Sequence, residues 1–370
     1  MANPGSATTT RVAVRRSARR AYIGMYSVIA LLHVLGWGAL IFVIVPAGDS
    51  VGSTAFGIGL GLTAYTLGMR HAFDADHIAA IDNTTRKLRE VPGSEPVSVG
   101  FWFSLGHSTV VIVMVALVAA GVHALTDEIT DSTSFISRYA GLFGASVSGI
   151  FLVILGIVNF LVLLRIVHVY RNMRPGRFDE AELERQLGNR GMMNRFFRRL
   201  MRFVTRPFHI YPIGVLFGFG FDTVSEIALL AIAGGAVVSG VPWYAVMVLP
   251  ILFTAGMALL DTTDGVFMNR AYGWAFERPL RKMYYNMIVT SLSVVIAVTV
   301  GMIELVGVVS SATEVRTGPL AWIADLDLNF VGFMVVGLFV AAWLISVAIW
   351  RLRRVEDRWS GRLIPGGNDP

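Results

Sequence analysis

A chain of 370 residues that is 55% hydrophobic and 15% charged, with a mean hydropathy of +0.64, carries too few charges for an ordinary water-soluble domain. It has no cysteine, which excludes disulfides and thiolate-bound metal centres. Its net charge of +6 is not a nucleic-acid footprint if the excess lies in loops on one side of a membrane, so the placement of that charge decides the matter.

Residues 1–20 are polar and carry five arginines. A basic start before an apolar run resembles a secretory signal, but the run Ala21 to Val45 is long enough to span and no convincing small-residue cleavage site follows. An uncleaved first helix is the better reading, with Pro46 to Asp49 as a turn. Further apolar runs, each of about 20 residues and so able to cross roughly 30 Å of hydrocarbon, lie at about 53–77, 99–122, 140–166, 210–235, 243–267, 286–309 and 329–350. The expectation is an all-α polytopic bundle of about eight transmembrane helices.

Lys and Arg in the loops set the orientation. With the N-terminus inside, the inner segments hold nearly all of them: the N-terminal tail, Arg86, Lys87 and Arg89, residues 168–209 with ten arginines, Arg270 to Lys282, and the tail from Arg351. The outer loops hold only Arg138 and Arg316, beside the acidic Asp127, Glu128, Asp131, Glu314, Asp325 and Asp327. Both termini are therefore expected in the cytoplasm. The chain divides into a basic tail (1–20), helices 1–4 (21–167), a basic cytoplasmic loop that can lie against anionic headgroups (168–209), helices 5–8 (210–350) and a C-terminal tail (351–370).

The second run contains the densest chemistry, Arg70-His71-Ala72-Phe73-Asp74-Ala75-Asp76-His77-Ile78. Ionisable groups at membrane depth are expensive, so they face a bundle interior and mark an ion or substrate path. Imidazole nitrogens and carboxylate oxygens are also the donor set for a borderline divalent metal. On a regular helix His71, Asp74 and His77 follow one another at i,i+3, with the two histidines about 120° apart around the axis and Asp76 pointing nearly the opposite way. One straight helix cannot aim all four at one ion. Either the helix is distorted here, or Asp76 orients a ligand imidazole or pairs with Arg70. Ile78 to Ile81 stay apolar, and Asp82-Asn83-Thr84-Thr85 then marks the exit from the bilayer.

Other intramembrane polar groups fit the same theme. His107 lies in the third run, while Asp222 and Glu226, at i,i+4 in the fifth, would repel each other without a cation or proton between them. Asp261 and Asp264 are one turn apart near the inner end of the sixth run, and His33 stands alone in the first. The candidate metal ligands are His71, Asp74, Asp76, His77, His107, Asp222 and Glu226, with His33, Phe73, Asp261 and Asp264 as orienting or path-lining groups. Gly57, Gly59 and Gly61, and again Gly214, Gly218 and Gly220, have the small-residue spacing that lets helices approach closely.

The block His71 to Ile78, a histidine followed four residues later by Asp-His, resembles the hallmark of the nickel/cobalt transporter family (NiCoT). Three more blocks match that family in order: Phe103 to Thr109, Gly220 to Ile227, and Leu252 to Met257 running on to Asp261-Thr262-Thr263-Asp264-Gly265. The resemblance implies an eight-helix permease of the inner or plasma membrane that imports Ni2+ or Co2+, with His71, Asp76 and His77 carrying the ion. It implies no cofactor beyond the transported metal, no nucleic acid and no ATPase subunit; no phosphate-binding loop is present in the sequence. Three rivals stand beside it. Efflux relatives share the His-x4-Asp-His element but often carry a histidine-rich loop that is missing here. A membrane metalloenzyme of the desaturase type needs more intramembrane histidines, and no His-Glu-x-x-His is present. A metal sensor without transport is the third.

Overall fold

The computed structural model describes residues 4–51, 54–89, 94–120, 135–172, 204–219, 224–276, 279–313, 317–324, 326 and 331–352. They are almost entirely helical. In chain order the main helices are α1 (Pro4–Ala39), α2 (Ile58–His71), α3 (Ala75–Arg89), α4 (Val99–Ala119), α5 (Phe135–Asn172), α6 (Tyr211–Gly218), α7 (Val224–Val238), α8 (Val248–Phe276), α9 (Pro279–Thr313) and α10 (Val331–Leu352). A π-helical turn, Leu40–Ile44, continues α1 outward, and a two-stranded antiparallel pair follows, Ser50 opposite Ala55 and Val51 opposite Thr54.

Among the described residues, six helical stretches are long and apolar enough to cross a membrane: Ser17–Ala47, Val99–Ala119, Ala145–His168, Trp243–Ala275, Met287–Thr313 and Val331–Ala348. The two remaining apolar runs appear as shorter pieces. The run 53–77 becomes α2, which ends at His71, and the first turn of α3; the run 210–235 becomes α6 and α7. Interrupted helices are tolerated at membrane depth only where protein covers the loosened backbone, and in transporters they cluster at substrate sites. The run that breaks after His71 carries the densest ionisable motif; residues 220–223, between α6 and α7, lie outside the described residues.

The bundle is layered by burial. In its most apolar stretch α8 is 67% buried by protein, against 22% for α1 and for α10. Around α8 one apolar cluster joins Leu40, Ile44, Ala64, Leu229, Ala233, Leu249, Leu252 and Phe253, and a second joins Ala75, Ile78, Ala79, Tyr272, Val289, Ala297, Val335 and Phe339. The outer faces of α1 and α10 present Val34, Phe42, Phe333, Met334 and Ile345 to the surroundings, as lipid-facing helices do. Lipid is as apolar as leucine, so close packing rather than the hydrophobic effect must hold the helices together.

Glycine supplies that packing. A Cβ at Gly68 would lie 2.0 Å from the Phe253 carbonyl oxygen, and one at Gly100 would lie 1.8 Å from that of Asp261. These two contacts clamp α2 and α4 onto α8 backbone to backbone. Of the glycines singled out by spacing, Gly61, Gly214 and Gly218 sit at such tight crossings, Gly57 and Gly59 do not, and Gly220 lies outside the described residues.

The segment Asp82 to Thr85 does not emerge into solvent. All four residues are buried, as is Arg86. Asp82 accepts hydrogen bonds from the Tyr272 hydroxyl at 2.5 Å and the Ser293 hydroxyl at 3.1 Å. Arg86 donates to Thr290 at 2.6 Å, to Asn83 at 3.2 Å and to Asn159. These polar residues were read as an exit because their composition is that of a helix end; tertiary partners on α5, α8 and α9 satisfy them inside the protein instead.

Gly100→Val should drive α4 and α8 apart and cost about 3 kcal/mol or more of stability. Gly337→Val, whose Cβ would meet nothing within 4 Å, should be silent in the same thermal-unfolding measurement on detergent-purified protein.

Candidate metal centre

The break between α2 and α3 is built from a short run of turns. The N–H of Ala72 bonds to Gly68 at 3.2 Å, that of Phe73 to Arg70 at 3.0 Å and that of Asp74 to His71 at 2.9 Å; Ile78 to Asp74, at 3.2 Å, then starts the new helix. Asp74 stands where an N-cap stands, a position that Asp favours. His71 is the last residue of α2, so the negative end of that helix dipole points at the break and favours a cation there. The opposing positive end of α3 is offset by Asp76 in its first turn, whose Oδ1 accepts the N–H of His77 at 2.9 Å.

The break resolves the angular problem posed by a straight helix. His71 and His77 now face each other with ring centroids 4.5 Å apart, and His107 from α4 completes a triangle at 4.6 Å and 4.9 Å. One ring nitrogen from each lies within 4.8 Å of the others, and all three residues are buried. His71 Nε2 is 2.9 Å from His107 Nε2. Glu226, in the first turn of α7, places Oε1 2.6 Å from His107 Nε2 and 4.0 Å from His71 Nε2.

The outward-facing nitrogens are held from behind. His71 Nδ1 lies 2.9 Å from Asp74 Oδ2, and His77 Nδ1 lies 3.3 Å from Asp261 Oδ2. The hydrogen bond to Asp261 fixes Nδ1 of His77 and leaves its Nε2 for the centre, while Asp74 stands at ion-pair distance behind His71. His77 Nε2 is buried and has no hydrogen-bond partner among the described residues. A carboxylate behind a histidine fixes the ring orientation and raises its basicity, the usual support of a metal-binding imidazole. Two donors at about 2.1 Å from one metal, at right angles, lie about 3.0 Å apart, close to the separation of His71 and His107. Aromatic walls enclose the group: Phe103 stands edge-on to His77 at 4.7 Å and Phe253 flanks His71 at 5.7 Å.

The remaining candidates sit elsewhere. The Asp76 carboxylate turns toward Ser148, whose hydroxyl donates to it at 3.4 Å, rather than toward a ring. Asp264, one turn beyond Asp261, buries Oδ2 without a hydrogen-bond partner among the described residues. His33 donates from Nδ1 to the Ile29 carbonyl at 2.8 Å, and its Nε2 meets the Tyr65 hydroxyl at 3.1 Å. Phe73 stacks on Phe333 of α10, centroids 4.4 Å apart. Asp222 lies outside the described residues. Ser148 carries no signal in the sequence, serines being common in apolar spans; Phe103 and Phe253 lie in two of the blocks that match the family, although no spacing marks either ring as a wall of the centre.

These helices and this cluster define a polytopic helical membrane protein with nitrogen and oxygen donors gathered in its interior. A family profile described as high-affinity nickel-transport protein, NicO, matches residues 57–349. The chain belongs to that family, a family of transporters rather than enzymes. It is 52% identical to the nickel transporter NicT of Mycobacterium tuberculosis over 91% of this chain and 90% of the relative. It is 41% identical to the nickel transporter NixA of Staphylococcus aureus over 94% of this chain and 99% of that one. It is also 38% identical to the cobalt transport protein NhlF of Rhodococcus rhodochrous over 89% and 92%. No solved structure matches the chain.

Asp261→Asn keeps the side-chain volume and removes the charge behind His77. Affinity for Ni2+, titrated calorimetrically on purified protein, should fall by about 10–100-fold. Asp76→Asn, at a carboxylate with no imidazole partner, should stay near wild type.

Proposed function

We propose that this protein imports Ni2+, and Co2+ with it, across the plasma membrane, and that His71, His77, His107 and Glu226 hold the ion part-way. One observation carries the reading: three buried imidazoles from three helices converge with ligand nitrogens within 4.8 Å of one another, and the Glu226 carboxylate lies 2.6 Å from one of them. Asp74 and Asp261 orient the ligands. The donor set has no sulfur, so it suits several first-row dications and does not choose nickel by itself. That choice rests on the names of the relatives, nickel for several and cobalt for the one from Rhodococcus.

The membrane potential supplies the driving force. A cation gains about 2.3 kcal/mol per charge per 100 mV, so a dication entering a cell held at −100 mV gains about 4.6 kcal/mol, worth about three decades of accumulation. No nucleotide hydrolysis and no second subunit enter this scheme. Phe73 follows His71 by two residues, at a position where the family carries either small or bulky side chains. Its ring lies on Phe333 rather than against the imidazoles, so any influence on the choice between nickel and cobalt passes through the shape of the turn.

Liposomes holding purified protein should take up radiolabelled nickel when an inside-negative potential is imposed, and far more slowly without one. His71→Ala or His107→Ala should abolish that flux while leaving the protein inserted. Wild-type flux in either variant would remove the site assignment, and flux indifferent to the potential would remove the driving force. In cells, overexpression should raise metal content; a fall would identify an exporter. Phe73→Val should change the ratio of cobalt to nickel uptake, and an unchanged ratio would dismiss Phe73 as a selector.

A further inference from the structure

The last helix, α10, begins about 260 residues beyond the metal-bearing turn in the sequence, yet it forms the wall behind that turn. Its inward face is spaced at helical intervals: Gly332, Val335, Val336, Phe339 and Trp343. Val335 and Phe339 pack into the same apolar cluster as Ala75, Ile78 and Ala79, the first residues of α3. At the top of this face the contact becomes specific. A Cβ at Gly332 would lie 1.2 Å from the Phe73 carbonyl oxygen and 3.4 Å from the Asp74 nitrogen, so the turn occupies the space where any other residue would put its side chain. One residue on, the Phe333 ring stacks on the Phe73 ring at 4.4 Å with the planes 27° apart. The other face of Phe333 is open to the surroundings, its side chain being 46% exposed.

We infer that Gly332 and Phe333 are positioning residues for the metal centre: they seat the Ala72–Asp74 turn, and through Asp74 they set the orientation of the His71 ring. The inference rests on the metal-carrying reading above. The path is short and each link is a contact. Gly332 and Phe333 hold Phe73 by its carbonyl and its ring; Asp74 is the next residue; Asp74 Oδ2 lies 2.9 Å from His71 Nδ1; and His71 Nε2 lies 2.9 Å from His107 Nε2. The interrupted helix has no continuous hydrogen-bond ladder through the turn to hold it in place, so an outside support has a direct effect on where Asp74 stands. Stacked aromatic pairs add a modest stabilisation beyond their burial, enough to matter for the rotation of one ring and too little to decide whether the bundle folds.

The test is calorimetric titration of the purified full-length protein with Ni2+, together with uptake kinetics. Phe333→Ala should weaken binding about tenfold or more, the effect expected of a group that orients a metal ligand, and should raise KM for uptake with the maximal rate unchanged. Phe333→Tyr should restore both, because the ring remains. Gly332→Ala should weaken binding further, while Gly337→Ala, on the same helix with open space around it, should match wild type. A merely structural role would lower the amount of folded protein and the maximal rate, and leave the affinity of what remains untouched. Wild-type affinity in Phe333→Ala, or an affinity in Phe333→Tyr as weak as in Phe333→Ala, overturns the inference, and neither readout depends on whether Gly332→Ala folds. Absence of nickel flux through the wild-type protein would strike the transport reading instead, leaving the titrations to decide the positioning role.

Discussion

The organising constraint is the cost of polarity inside an apolar bundle. His71, His77, His107, Glu226 and Asp261 are buried in the interior, with Asp74 partly covered beside them, and an unmet charge in such a place costs several kcal/mol. The protein meets this cost in pairs. Each of two imidazoles has a carboxylate behind it, and the third meets Glu226 through Nε2. Of the nitrogens that face inward, the buried His77 Nε2 has no hydrogen-bond partner among the described residues, while His71 Nε2 and His107 Nε2 lie 2.9 Å apart; on the reading proposed above, a dication would serve all three together. The surrounding helices can be understood as the scaffold that keeps this arrangement dry and narrow.

That scaffold is made by omission as much as by contact. Glycines remove the side chains that would keep α2 and α4 off α8, so the backbones that bear His71 and His107 lie close to the one that bears Asp261. The break at Ala72–Asp74 removes a stretch of helix so that two histidines on one segment can face each other. Below it, Asp82 and Arg86 are locked by hydroxyls and amides from α5, α8 and α9. This second polar layer anchors the inner end of α3, whose outer end carries His77.

Much of this was legible in the chain. Apolar runs gave a helical membrane protein because hydrocarbon thickness sets a length that composition reveals directly. The residues of the centre stood out because His, Asp and Glu are rare in such runs; His107 and Glu226 were marked on that ground alone. The geometry was not legible. A helical wheel showed that His71, Asp74, Asp76 and His77 cannot share one ion on a straight helix, but it could not say whether the helix or Asp76 would yield. Both do: the helix breaks and Asp76 turns to Ser148. Asp82 to Arg86 were misread because local sequence shows polarity, not the partners that bury it. The contact of Gly332 with Phe73 joins residues too far apart for any periodicity to connect them.

The centre draws on both halves of the chain. His71, His77 and His107 come from before the long basic segment at 168–209, and Glu226 and Asp261 come from after it. An ion held there would rivet two pieces that are otherwise joined by packing and by hydrogen bonds such as those from Tyr272 and Ser293 to Asp82. On the reading proposed above, loading would stiffen the whole assembly and letting go would call for some parting of the two pieces, so that the journey of the cargo and the flexing of its carrier would be one event.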